Sequence, residues 1–201
     1  MIDVAVIDAG GANLASVCHA VERAGALPRR VRDAAALGAP DRIILPGVGA
    51  AAPAMRCLRE RGLDIALGGA TAPLLGICLG MQLLFEHSEE GDVECLGLLP
   101  GRVRRLRGTA GARVPHMGWN SLEDVREAPW LRGIDDGDQA YFVHGYAAAV
   151  TPDCMAACGH GSERFAAIVQ RGTRHGAQFH PERSATTGAR LLANFLGTGS
   201  G

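Results

Sequence analysis

The stretch Leu74-Leu75-Gly76-Ile77-Cys78-Leu79-Gly80-Met81-Gln82 constrains the fold more than any other part of the chain. A short, wholly apolar run such as 74–77 suits a strand buried on both faces of a parallel sheet. It leads into Gly-x-Cys-x-Gly, with a glycine two residues to either side of a central cysteine. That spacing marks a strand turning sharply into a helix: the glycines let the two pass at close range, and the residue between them sits in a strained turn with its side chain exposed. A helix N-terminus also presents unpaired N–H groups that favour an anionic sulfur. An isolated cysteine is more often a small buried core residue, but within this glycine frame Cys78 is a candidate nucleophile.

The strand-turn-helix pattern recurs. Val4-Ala5-Val6-Ile7 stops at Asp8-Ala9-Gly10-Gly11, and Leu14, Val17, Cys18 and Val21 follow at helical spacing up to Gly25. Arg42-Ile43-Ile44-Leu45 runs into Pro46-Gly47-Val48-Gly49 before a helical stretch over 51–61, and 81–87 is expected to be the helix after the elbow. Alternating strands and helices predict an α/β fold whose mainly parallel sheet is covered on both faces. From Leu96 onward the texture changes to short strands, at 102–106, 114–122, 139–150, 155–158, 165–170 and 177–180, which predicts an added antiparallel portion in the C-terminal half, so that the sheet is mixed. An amphipathic helix over 186–196 closes the pattern. The expected organisation is one domain over 1–197 with a flexible tail at 198–201.

With 201 residues, 47% of them hydrophobic, the chain can bury a core of enzyme size. A net charge of −1 gives no electrostatic reason to expect nucleic acid or an anionic membrane as partner. No window approaches the roughly 18 apolar residues of a membrane span, and MIDVAVIDAGG carries no basic leader, so a cytoplasmic protein is expected. The six cysteines are too scattered for a secreted disulfide framework. Cys154, Cys158 and His160 raise the thought of a metal, but sulfurs four residues apart on a strand lie roughly 13 Å from each other, too far to share a zinc. No metal and no cofactor is expected.

A thiolate attacking an amide carbonyl creates an oxyanion that needs preorganised donors. Gly47, Val48 and Gly49, at the end of a predicted parallel strand, can turn backbone N–H groups toward a ligand, and the Leu79 N–H just after the nucleophile is the natural second donor. Of seven histidines, His180 in Gln178-Phe179-His180-Pro181-Glu182 has the best context for a general base. Pro181 biases it toward extended backbone, and strand alternation would place Glu182 on the same side. The carboxylate can then fix the ring's tautomer while the other nitrogen faces Cys78, giving a Cys-His-Glu triad. His144 lacks an acid two residues on and reads as a site-wall or structural histidine. His116, in a strand-like segment beside Trp119, stays open, a satisfied polar residue being an equal reading, and His19, His87, His160 and His175 read as solvated or helix-terminal.

Gly-Ile-Cys-Leu-Gly-Met-Gln together with Gln-Phe-His-Pro-Glu resembles the class I, triad-type glutamine amidotransferases, in the right order over nearly the whole chain. The resemblance implies that Cys78 forms a γ-glutamyl thioester, that His180 protonates the departing ammonia and then activates water, and that Glu182 orients His180. It implies further that Gln82 and the Pro-Gly-Val-Gly backbone hold glutamine, with His144 and Tyr146 in the site wall. Pro115-His116-Met117-Gly118-Trp119-Asn120, Tyr141-Phe142-Val143-His144-Gly145-Tyr146 and the final Pro-Glu-Arg-Ser are similar to the branch serving imidazole glycerol phosphate synthase of histidine biosynthesis. In that branch the partner is a (β/α)8-barrel cyclase that receives the ammonia in a heterodimer. Asn13, Trp119, Asn120, Tyr141 and Arg183 would then face the partner or the ammonia exit. Two features depart from the family pattern: Asp8-Ala9-Gly10-Gly11-Ala12-Asn13 stands where Asp-Tyr-Gly-x-Gly-Asn is common, and Arg183 where lysine is frequent. A paralogue feeding another synthase, a cysteine hydrolase without ammonia transfer and a silent binding subunit are the rival readings.

Overall fold

The structure is a computed structural model that describes residues 1–10, 13–109 and 111–199. Its first half runs β1 (Asp3–Ile7), α1 (Leu14–Arg23), β2 (Leu27–Val31), α2 (Ala34–Leu37), β3 (Arg42–Gly47), α3 (Ala51–Glu60), α4 (Leu63–Gly69), β4 (Leu74–Cys78) and α5 (Leu79–Gln82). The second half holds β5 (His87–Ser88), β6 (Val93–Glu94), β7 (Arg102–Arg105), β8 (His116–Ser121), β9 (Gln139–His144), β10 (Tyr146–Ala148), β11 (Cys154–His160), β12 (Glu163–Arg171), β13 (Arg174–Ala177) and α6 (Ala185–Leu196).

Seven strands form the central sheet in the order β11-β12-β13-β4-β3-β1-β2. Pairing is parallel from β13 through β4, β3 and β1 to β2, and antiparallel between β11, β12 and β13. The sheet is therefore mixed and mainly parallel, as the alternation of elements requires. Because strand side chains alternate, β1 sends Val4 and Val6 to one face and Ala5 and Ile7 to the other. The first face is covered by Val17 and Val21 of α1 and by Leu191, Leu192 and Phe195 of α6. The second is covered by Met55 and Leu58 of α3 and by Leu63 and Leu67 of α4. A four-stranded sheet (β10-β7-β5-β6) and the β8-β9 ribbon lie beside this layer.

Several expected elements differ. The helix over 81–87 is a single turn, because the carbonyls after it are taken from outside: Leu96 N–H donates to Leu83 O at 2.9 Å, and the N–H groups of Leu98 and Leu99 both donate to Leu84 O at 2.8 Å. The apolar run Leu83-Leu84-Phe85 is buried for that cross-chain packing, not for a helix face. The strand over 139–150 breaks at Gly145 into β9, which pairs with β8, and β10, which pairs with β7. The strand over 177–180 lies earlier, at β13; Gln178 N–H still reaches Ala167 O, but His180 N–H donates to Tyr141 O of β9. Several elements had no expectation, α2, β5 and β6 among them. β2 is an edge strand whose Pro28, Arg29 and Arg30 mask any alternation, and α4 is short. At the C-terminus, the N–H groups of Thr198 and Gly199 fold back on Ala193 O, while Ser200 and Gly201 lie outside the described residues.

Candidate active site

The elbow is built by three glycines. A Cβ on Gly80 would lie 1.7 Å from Leu45 O, one on Gly76 2.6 Å from Gly80 O, and one on Gly47 2.9 Å from Gly80 N. Strand β4 and helix α5 can pass β3 only with bare backbone at these points. Cys78 is consequently held at φ 53 and ψ −112, a region unfavourable for a residue with a side chain. Gly47 pairs with Cys78 in the parallel register of β3 and β4, so the turn carrying Val48 and Gly49 opens beside the sulfur. Cys78 is 6% exposed. Its sulfur faces a cavity of about 280 Å³ rather than open solvent, which corrects the expectation of an exposed side chain.

His180 Nδ1 and Glu182 Oε1 are 2.8 Å apart, and the two side chains are 7% and 1% exposed. The geometry that joins them is not strand alternation. Residues Pro181–Arg183 form a 3-10 turn that folds the carboxylate back under the ring. Asn13 sits at φ 84, which asparagine tolerates, and its amide does not cap α1 but donates to Glu182 Oε1 at 2.5 Å. Burial alone would lower the pKa of His180. The hydrogen bonds and charges of Cys78 and Glu182 outweigh it and push the imidazole up to about 10. Burial pushes the Glu182 carboxyl up, but the bond and charge of His180 hold it below its usual value.

The sign of the pH dependence follows. Between the ordinary histidine value of about 6.5 and 10 the folded chain binds a proton that the unfolded chain has released, so stability falls as pH rises. The contribution of His180 is complete below pH 6.5 and is lost as pH rises through about 10; that of Glu182 is present above the usual carboxylate range and is lost on acidification. The stability difference between the wild type and His180→Ala, from urea unfolding, is therefore expected to shrink steadily from pH 6.5 to 10.

Of the sequence candidates, Val48, Gly49, Cys78, Leu79, Gln82, His144, Tyr146 and His180 line the cavity. Gln82 Nε2 is already engaged, donating to Tyr146 O at 2.8 Å and Gln178 Oε1 at 3.0 Å, so only its carbonyl oxygen is left for a ligand. His144 and His116 form a neutral relay. His144 Nδ1–H donates to Tyr146 O at 2.8 Å, which makes its Nε2 the acceptor for His116 Nδ1–H at 3.1 Å. Burial lowers the two rings to about 3 and about 4 respectively. His175, expected to be solvated, is buried against Trp130 and Phe195.

The five candidate partner-facing residues separate. Trp119 is 53% exposed, packs edge-on against Tyr141 across the β8-β9 ribbon, and lies near the exposed Met117; the Arg183 guanidinium stacks over Tyr141. These three side chains form one surface cluster joined to the triad through the 3-10 turn. Asn120 turns inward, donating to Gly159 O at 2.8 Å and His116 Nε2 at 3.2 Å. Asn13 lies against Glu182. Gly11 and Ala12, two of the positions in the divergent loop, lie outside the described residues. Five residues at the site were not among the sequence candidates: Glu90, Pro115, Val143 and Gly145 line the cavity, and Gln178 lies beneath it. Glu90 is the one acid on the cavity wall among the described residues, and burial raises its carboxyl pKa against the lowering effect of the Ala51 N–H that it accepts. Gln178 carried a signal in its place in the Gln-Phe-His-Pro-Glu segment, and Pro115, Val143 and Gly145 in theirs within the other two motifs of the resemblance; Glu90 carried none.

A family model described as "Glutamine amidotransferase class-I" matches residues 5–198. The chain is 64% identical over 196 residues to "Imidazole glycerol phosphate synthase subunit HisH" of Xanthomonas euvesicatoria pv. vesicatoria, covering 98% of each. It is 61% identical to the protein of the same name from Xylella fastidiosa (strain Temecula1 / ATCC 700964), again over 98% of each. Among solved structures, a crystal structure of glutamine amidotransferase superposes with a TM-score of 0.75 at 22% identity, covering 97% of each chain. The structure of PurLQS from Thermotoga maritima does so with 0.71 at 22%, covering 98% of this chain and 99% of that one. At that identity these two likenesses speak for the fold alone.

Proposed function

The chain belongs to the class-I glutamine amidotransferase family, as a glutamine amidotransferase subunit of imidazole glycerol phosphate synthase in histidine biosynthesis, and we propose that it hydrolyses glutamine at Cys78 and passes the ammonia to a (β/α)8-barrel cyclase. The observation that carries this reading is the Glu182-His180 pair beside a cysteine held at positive φ on the wall of a cavity of about 280 Å³.

With Nδ1 held by Glu182, the imidazole turns Nε2 to the sulfur. The thiolate attacks Cδ of glutamine, and the electron pair moves to the amide oxygen, which receives backbone N–H groups from Val48, Gly49 and Leu79. His180 gives its Nε2 proton to the amide nitrogen, the C–N bond breaks, and ammonia leaves a γ-glutamyl thioester. Water then loses a proton to His180 and attacks the same carbon. The C–S bond breaks, and glutamate departs with thiolate and imidazolium restored. Glu90 supplies a negative partner for the substrate's α-ammonium, and the Gln82 carbonyl oxygen a neutral one. Replacing Glu90 by glutamine should raise KM for glutamine by about 10- to 100-fold, the worth of a charge-assisted bond, with kcat little changed in steady-state assays.

Ammonia reacts as a nucleophile only while unprotonated, so the product has to cross a dry interface. The cluster of Trp119, Tyr141 and Arg183, reached through the triad's own 3-10 turn, suits that interface: it offers exposed aromatic surface with one cation. In this reading residues 1–197 act as one domain in a cytoplasmic heterodimer; no described helix is long and apolar enough to cross a membrane. The deciding experiment measures glutamine turnover by the full chain alone, with the cyclase, and with the cyclase and its ligand. Turnover should be low alone and rise at least about tenfold in the last case. High turnover indifferent to the cyclase would leave a plain hydrolase.

A further inference from the structure

Gln178 has no part in the cavity wall, yet its amide points at the nucleophile. It is fully buried, and its Nε2 lies 3.8 Å from Cys78 Sγ. The orientation of that amide is forced by its neighbours. The Tyr146 carbonyl can only accept, so the Gln82 side chain must turn its nitrogen toward it. The second hydrogen of that nitrogen then reaches Gln178 Oε1 at 3.0 Å, which leaves the Gln178 nitrogen, and not its oxygen, facing the sulfur. The chain of donors from Gln82 through Gln178 to Cys78 has one self-consistent direction.

A second contact sharpens the point. The Val143 carbonyl lies 3.7 Å from the same sulfur and can only accept, so it favours the neutral thiol. A thiolate needs donors instead, and two side chains supply them: His180 and Gln178. The other titratable groups on the site are Glu182 behind His180, the neutral His144 of β9, the Tyr146 phenol of β10, and Glu90 after β5; α5 contributes none. We propose that Gln178 is a positioning residue for the nucleophile: held by Gln82, it donates from Nε2 to the ionised Cys78 sulfur and so holds it against the competing acceptor of Val143. This rests on the proposal that Cys78 is the nucleophile.

The test follows the pH dependence of iodoacetamide alkylation in the full chain, with peptide mapping of Cys78. Gln178→Met fills the same space without a donor and should move the midpoint of the Cys78 profile up by about one pH unit, since it removes a charge-assisted bond. Gln178→Glu keeps the acceptor for Gln82 but sets a carboxylate beside the sulfur, and should move it further. Both should lower kcat for glutamine with KM nearly unchanged. A measurement that leaves Gln178 unchanged is its side-chain amide NMR signal, which should titrate with the midpoint of Cys78 in the wild type and stay still in Cys78→Ser. Unmoved alkylation midpoints in the variants, or an amide signal that ignores the Cys78 titration, would overturn the proposal. If alkylation of wild-type Cys78 left glutaminase activity intact, the nucleophile assignment itself would fail, a separate result.

Discussion

Replacing Cys78 by alanine is expected to lower glutamine hydrolysis by at least about 10⁴-fold, the scale on which covalent catalysis fails when its nucleophile is removed. Synthesis by the chain and cyclase together, driven by added ammonium, should stay near the wild-type rate. The two readings diverge because the sulfur is needed only where the amide is broken. The substitution is structurally mild: the side chain faces a cavity, and alanine meets the same backbone strain at φ 53. Parallel glutamate-release and cyclase assays check both halves. Loss of the ammonium-driven reaction would mean that the residue holds the interface rather than the chemistry.

The second large effect concerns the elbow itself. Alanine at Gly80 would place a carbon 1.7 Å from Leu45 O, a backbone atom of β3 in the central sheet. No side-chain rotation relieves that contact, so β3, α5 or both must shift. A loss of about 3–5 kcal/mol in urea unfolding, or failure to fold, is expected, at the upper end of single substitutions. Gly68 in α4 is the internal control: its added carbon would meet nothing within 4 Å, and alanine there should stabilise by about 0.5 kcal/mol. Equal effects at the two glycines would refute the idea that close backbone passage, rather than helix propensity, fixes the elbow.

The sequence spoke clearly where one local rule governed a residue. Gly76 and Gly80 announced the elbow because a steric demand leaves a two-residue imprint. Val4-Ala5-Val6-Ile7 announced a doubly buried strand because both faces of the sheet are covered. The sequence was misleading where backbone partners lie far along the chain. Leu83-Leu84-Phe85 has an apolar texture compatible with helix, and only the N–H groups of residues 96–99 decide that the helix stops. His180 and Glu182 were paired through strand alternation, whereas a 3-10 turn pairs them. Asn120, chosen from a motif containing an exposed tryptophan, instead bonds to His116 and Gly159, because neighbours on a strand face opposite ways. Glu90 was silent: an acid in a Ser-Glu-Glu-Gly-Asp turn looks like any solvated loop until the loop is folded over Ala51.

The most direct test of the central claim is to stop glutamine turnover by acid quench, in the full chain with its cyclase and ligand, and to map the quenched chain by mass spectrometry. One γ-glutamyl group on Cys78, absent from Cys78→Ala and from samples without glutamine, is the predicted result. Glutamate and ammonia formed with no adduct under conditions where a thioester survives, or an adduct on another cysteine, would contradict it.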